Sequence, residues 1–205
     1  MKSDNYGWKN GSKMKSQGYL MKYILKEIDY SNCVIDIGCG NGAIANDLIS
    51  IGYDVYGIDG DREGIRIAQQ FTKESRFFCM DIESDNLPDV LKDKHFDLAI
   101  STEVIEHLYS PDKMIRFAYR ILDEDGTIVI STPYHGYLKN LLLSILGRWD
   151  NHFTALWEGG HIKFWSPKTL SQLLERNGFR VIKFYGCGRA PFLWKSMILV
   201  AVKSK

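Results

Sequence analysis

Val34-Ile35-Asp36-Ile37-Gly38-Cys39-Gly40-Asn41-Gly42 is the stretch on which the fold turns. Its first four residues, apolar and β-branched but for Asp36, are of the kind that forms a buried strand. Three alternating glycines follow, and Ala43, Ile44 and Leu48 then recur at helical spacing. A strand running through a glycine turn into a helix lets the backbone bend sharply and approach a ligand that a β-carbon would hold off. The spacing is GxGxG, not the GxGxxG of dinucleotide binders, and an acid, Asp36, stands two positions ahead of the first glycine.

Working outward, short apolar runs at 33–37, 54–58, 77–79, 96–101, 127–131, 180–185 and 197–202 read as strands. Helical patterns at 43–50, 62–71, 111–122 and 167–176 lie between them, several closed by a glycine such as Gly52 or Gly178. The alternation of strands and helices predicts a parallel sheet with helices on both faces, because a parallel crossover needs a connection long enough to hold a helix. Only 186–196 joins the last two strands, and no helix fits there, so they are expected to form an antiparallel hairpin at the sheet edge. Leu20, Tyr23, Ile24 and Ile28 predict a leading helix within an N-terminal cap of residues 1–30. Residues before about Ser16 are expected to be mobile without ligand.

Two further acids sit where strands end. Asp59 closes Gly57-Ile58-Asp59 about 20 residues past the loop, the place from which a carboxylate accepts from ribose hydroxyls. Asp59 or Asp61 would also serve as a helix N-cap, and Asp61 is read that way. Asp81, in Met80-Asp81-Ile82, could accept from an adenine amino group while a backbone amide faces the ring; a plain turn aspartate is the alternative. A ligand bearing a sulfonium and an ammonium but no pyrophosphate would suit such a mixture of backbone contacts and carboxylates.

VIDIGCGNG, VYGID, FFCMDIE and FDLAISTEVIEHL, taken in order, resemble the successive motifs of class I S-adenosylmethionine-dependent methyltransferases. The resemblance covers nearly all of the chain after Tyr30. It implies an α/β, Rossmann-like fold: a seven-stranded, mostly parallel sheet with the cofactor at the carboxyl ends of the first strands. It implies that Gly38 and Gly40 line the methionine portion. The expected cofactor set is Asp36, Gly38, Cys39, Gly40, Asp59, Gly60, Asp81, Ile82 and Thr102.

After the fourth strand comes Glu103-Val104-Ile105-Glu106-His107. If this segment is helical, its two carboxylates and imidazole share one face at the mouth of the cleft. Close carboxylates repel, and a divalent cation stabilises both as anions. His161, in Gly159-Gly160-His161-Ile162-Lys163-Phe164-Trp165, is a fourth candidate ligand, with His152 as its substitute. Glu103, Glu106, His107 and His161 form an oxygen and nitrogen set suited to Mg²⁺, Mn²⁺, Fe²⁺, Co²⁺ or Zn²⁺. Three readings stay open: a metal site, a structural Glu106–His107 pair, and metal-free base catalysis by His107 or His161 with Glu106. ExxEH with the later HxKFxW resembles both the ubiquinone-biosynthesis O-methyltransferases and the small-RNA 3′-terminal 2′-O-methyltransferases. Both resemblances imply a cation that acidifies a hydroxyl and holds it in line with the methyl group. His95 and His135 read as surface or loop residues.

Residues 133–165 form an acceptor-side insertion. Leu138, Leu141, Leu142, Ile145, Leu146 and Trp149 recur at helical spacing, with Phe153, Trp157, Phe164 and Trp165 behind them. The stripe is expected to pack against the protein's own body; a substrate lid and contact with a membrane surface are the other readings. Each suits a lipid-like or quinol-like acceptor.

The 205 residues, 45% apolar, fit one domain, and the net charge of +1 argues against a general nucleic-acid binder. The N-terminal lysines Lys2, Lys9, Lys13, Lys15, Lys22 and Lys26 read as a solvated arm or a patch for an anionic substrate. Four cysteines without a CxxC pair, and no signal-like start, predict reduced cytoplasmic thiols. No apolar run approaches the ~20 residues of a membrane span. The expected protein is a monomer or homodimer that O-methylates a small hydroxylated or lipid-like molecule. The rivals are a metal-independent N- or O-methyltransferase of a sugar or other metabolite, a nicotinamide-dependent oxidoreductase, and a non-enzymatic binding module.

Overall fold

The computed structural model describes residues 8, 15–29, 33–72, 75–82, 87–153, 155–157 and 159–204. The expected mobility falls on residues that, apart from 8 and 15, lie outside the described residues, as do Lys2, Lys9 and Lys13 of the lysine arm. In chain order the elements are α1 (Lys15–Ile24), β1 (Cys33–Ile37), α2 (Ala43–Ser50), β2 (Asp54–Asp59), α3 (Arg62–Ala68), β3 (Phe77–Cys79), α4 (Asp89–Lys92) and β4 (Phe96–Thr102). They continue as α5 (Pro111–Ile121), β5 (Leu122–Pro133), α6 (Tyr137–Ile145), α7 (Trp149–Phe153), α8 (Pro167–Arg176), β6 (Phe179–Cys187) and β7 (Ser196–Lys203).

The strands form one seven-stranded sheet in the order β3-β2-β1-β4-β5-β7-β6. The first five pair in parallel, and β7 runs antiparallel between β5 and β6, so the expected edge hairpin is present. Reversal of strand order on either side of β1 and β4 opens a crevice at their carboxyl ends, where open α/β sheets bind ligands.

Because side chains alternate across a strand, each strand feeds two cores. Ile35, Ile37, Ile58, Ile128, Ile130 and Leu199 pack on one face with Met114 and Phe117 of α5 and Leu170, Leu173 and Leu174 of α8. Val34, Val55, Leu98, Ile100, Val129 and Val200 pack on the other with Leu20 and Ile24 of α1, Ile44 and Leu48 of α2, and Ile65 of α3. Thus the leading helix covers a sheet face, and its apolar spacing is what seats it.

Most element ends shift by a residue or a few, and two departures bear on the site. β5 begins at Leu122, not Thr127, because Phe96 pairs with Leu122 before the register jumps to Leu98–Thr127 across the acidic bend at Asp123–Gly126. The segment after β4 is not an α-helix: only Ile105–His107 makes a 3₁₀ turn, and Glu103 precedes it with φ 56°. No helix among the described residues is long and apolar enough to cross a membrane.

Candidate active site

Gly38 and Gly40 adopt φ of 79° and 54°, the left-handed region that a β-carbon disfavours. A β-carbon on Gly38 would lie 2.5 Å from the Val104 side chain, and one on Gly40 would lie 2.5 Å from the Trp8 indole. The loop is pinned to the second strand, since the Gly38 and Cys39 amides both donate to the Ile58 carbonyl, at 2.8 and 3.1 Å. Asp59 completes the joint. Its carboxylate accepts from the Gly40 amide and the Asp61 amide, each at 2.7 Å. Asp61 caps α3 by accepting from the Glu63 and Gly64 amides, as the sequence suggested.

Asp36 is buried beneath this loop, and its Oδ1 has no partner among the described residues. Burial, then the charge of Asp59, pushes its pKa up to about 8. A buried, unpaired carboxylate is costly, and a cationic ligand in the cleft would restore its charge. Cys39 is buried nearby, its thiol held well above the usual range by burial first and by Asp36 next. On the adjoining strand Cys79 pairs with Asp59, so Asp81 and Ile82 emerge two and three residues past the same edge as Gly60. Thr102 ends β4 two residues beyond the Asp36–Ile100 pairing, on the other side of β1. Gly40, Asp59 and Asp81 therefore share one edge of the sheet.

The second cluster stands at the end of β4. One ligand atom each from Glu106, His107 and His161 lie within 4.8 Å of one another. The Nε2 atoms of His107 and His161 are 4.0 and 3.9 Å from Glu106 Oε1, which is buried and otherwise unpartnered among the described residues. His107 Nδ1 lies 2.8 Å from the Gly159 carbonyl and 3.2 Å from that of Gly160; a carbonyl can only accept, so Nδ1 carries the proton and Nε2 keeps its lone pair. Thr132 Oγ1 donates to Glu106 Oε2 at 2.9 Å and fixes the carboxylate. The Ile162 and Lys163 amides donate to the Glu106 carbonyl, which is how a histidine 54 positions away reaches His107. Burial lowers the His107 pKa, and burial followed by the neighbouring His107 and His152 lowers that of His161 to about 4. Burial first, then Glu103, raises Glu106 well above the carboxylate range. Two neutral imidazoles and one carboxylate are a fitting donor set for a divalent cation, and the orienting bonds behind them are of the kind that support metal ligands.

Glu103 is not brought into this group. Outside any helix it cannot share a face with Glu106 and His107, and its oxygens instead accept from Ser131 Oγ at 2.9 Å and Ser196 Oγ at 3.2 Å. Burial raises its pKa to about 7 against these two bonds and the Lys139 charge. His161, and not His152, completes the trio. His95 lies exposed beside Asp123, but His135, although in a loop, is buried among Phe153 and Phe164; its apolar neighbours come from distant positions. Thr132, Ser131, Ser196 and the Gly159–Gly160 carbonyls were missed, since nothing in their local pattern separates them from ordinary strand and turn residues.

Most of the apolar stripe does not pack against the body, contrary to expectation, and of its members Leu142 alone is half-buried. Leu138, Leu141, Ile145, Leu146 and Trp149 are all exposed, with Ile145 at 70%, and the residue that α6 buries is Lys139. Lys139 Nζ is drawn inward by the Tyr134 carbonyl, at 2.7 Å. With Lys139 facing inward, most of the leucines lie on the outward side.

Residues 16–183 match the model of a family described as a methyltransferase domain. The chain is 30% identical over 167 residues to the mitochondrial ubiquinone biosynthesis O-methyltransferase of Bos taurus, covering 78% of this chain and 44% of that protein. It is 29% identical over 159 residues to the ubiquinone biosynthesis O-methyltransferase of Pelagibacter ubique, covering 75% and 63%. It thus spans less than two thirds of either relative. The crystal structure of magnesium protoporphyrin IX methyltransferase from Synechocystis superposes with a TM-score of 0.66 at 21% identity, covering 90% of this chain and 80% of that one, which shows the shared fold. The family match reaches from α1 into β6 and so takes in the glycine loop, its acids and the Glu106 cluster: the chain belongs to the methyltransferase domain family.

Proposed function

We propose that this protein transfers a methyl group from S-adenosylmethionine to a hydroxyl oxygen of a small catechol- or quinol-like acceptor. The carrying observation is that a glycine cradle backed by a buried, unpaired Asp36 shares a sheet edge with a carboxylate–diimidazole cluster. Gly38, Cys39, Gly40 and Asp36 would hold the methionine portion, Asp59 and Gly60 the ribose, and Asp81 and Ile82 the adenine, with Thr102 on the methyl side. The relatives' names as ubiquinone biosynthesis O-methyltransferases support a ring hydroxyl as acceptor.

Glu106, His107 and His161 would hold a divalent cation. Bound there, it supplies Lewis acidity that makes a hydroxyl proton easier to lose. The chain's own part is positional. Thr132 and the Gly159–Gly160 carbonyls keep the ligands aimed, Asp59 ties the loop to β2, and a fixed alignment of oxygen and methyl contributes up to roughly 7–11 kcal/mol of the barrier. The exposed apolar side of α6 suits an acceptor with a lipid-like tail. All four cysteines are free thiols, which fits the cytoplasmic setting we propose.

The test is methylation of catechol in the presence of S-adenosylmethionine and Mg²⁺, with and without excess chelator. Turnover that chelator abolishes while S-adenosylhomocysteine still binds is the expected result. Full activity in chelator would remove the metal, and absence of cofactor binding would remove the donor.

A further inference from the structure

Beside the candidate active site, between the starts of α5 and α8, lies a cavity of about 560 Å³ that the methyl-transfer reading does not use. Four cationic side chains line it, Lys113, Arg116, Lys163 and Arg176, against the single carboxylate of Asp112. Arg176 spends its charge on that carboxylate, in a two-pronged pair at 3.0 and 2.6 Å. Lys113, Arg116 and Lys163 have no ion-pair partner among the described residues. Ser110 and Pro111 at the start of α5 also face the cavity, so that helix adds its positive end, while Thr169, Gln172 and Leu173 of α8 supply the opposite wall. Tyr109 and Trp165 supply aromatic wall, and the Trp165 indole N–H is out of solvent with no acceptor among the described residues.

We infer that this cavity binds a phosphoryl group. Four cations against one carboxylate, which Arg176 pairs with and Arg116 also faces, leave an excess of positive charge, whereas a phosphate monoester carries about −1.5 to −2 charges at pH 7 and offers three acceptor oxygens. Arg116 provides a planar donor fork and the two lysines point charges, the usual division of labour around phosphate. The site adjoins the Glu106 cluster through one short segment: the Lys163 amide holds the Glu106 carbonyl at 3.1 Å, while the Lys163 and Trp165 side chains line the cavity. The inference stands apart from the identity of the methyl acceptor.

Calorimetric titration with inorganic phosphate and with phenyl phosphate, at an ionic strength held constant with sodium chloride, tests it. Saturable binding is expected, weakened about tenfold or more when Arg116→Gln and Lys163→Gln are combined. An unchanged circular dichroism melt verifies that the double variant is folded. Tighter binding of phenyl phosphate identifies an ester as the ligand through the aromatic wall, and equal binding identifies the free anion; either upholds the site. No saturable heat above the chloride control, or the same affinity in the folded double variant, overturns it.

Discussion

At the ends of β1 and β2 the contacts are made by main chain: two amides of the glycine loop bond to the Ile58 carbonyl, and Asp59 gathers two more. Across the same edge, α6 and α7 present side chains to solvent, and Tyr137, Leu138, Ile145 and Trp149 are all exposed. One end is a turn fixed by the chain's own hydrogen bonds; the other is an exposed apolar face. The contrast teaches where specificity resides. In our reading the cofactor is held by backbone and a few carboxylates, while the exposed apolar face of α6 is left for the acceptor.

The sharpest way to break this comparison is to truncate one apolar residue at each end. Ile58→Ala, at a fully buried site, should cost about 2–5 kcal/mol. Ile145→Ser, on the exposed face, should change stability by no more than about 0.5 kcal/mol. Urea melts of the two variants would measure this, and a similar loss at both would mean that the α6 face is packed after all.

Between the two ends stands the Glu106 cluster. Glu106→Gln keeps the shape but removes the charge that a cation needs, so turnover should fall about a hundredfold or more. Cofactor affinity should be preserved, and a variant that loses both would tie the cluster to the donor end. Asp59→Ala removes a carboxylate that holds two amides and, in our reading, a ribose. At about 1.5–3 kcal/mol for each charge-assisted bond, affinity for S-adenosylhomocysteine should drop at least about tenfold, as titration calorimetry would show. An unchanged dissociation constant would move the ribose elsewhere.

The smallest effect concerns pH. Burial first, then Lys139, lowers the His135 pKa to about 4, whereas the unfolded side chain titrates near 6.5. Between those values the unfolded chain takes up a proton and the folded one does not. Stability is therefore at its full value above pH 6.5 and declines as pH falls toward 4, by at most about 1.4 kcal/mol per pH unit from this group. His135→Phe should flatten the decline between pH 7 and pH 5, and an unaltered slope would show that the ring is already solvated.

The cradle was legible because its requirements are local. The left-handed angles at positions 38 and 40 favour glycine, a β-carbon there would strike Val104 or Trp8, and the acids at 36 and 59 stand at the ends of strands whose periodicity is written in the chain. The Glu106 cluster was half legible. His107 and His161 were identified from their spacing, but the grouping of Glu103 with them assumed an α-helix where the chain makes a 3₁₀ turn after a left-handed residue. Ser131 and Ser196, which claim Glu103 instead, come from strands 28 and 93 positions away.

The stripe on α6 was misjudged for a related reason. Helical spacing of leucines establishes that one face is apolar, not that the rest of the protein will meet it, and here the inward residue is a lysine bonded to a loop carbonyl. By itself, the sequence determined the alternating α/β order, the glycine turn and the carboxylates that follow the strands, since these depend on backbone geometry and near-neighbour periodicity. Only the tertiary structure decided which histidines meet Glu106, where Glu103 points, which helix face stays bare, and that four cations gather around a cavity between α5 and α8. Those are outcomes of long-range packing, where residues far apart in the chain compete for the same partner.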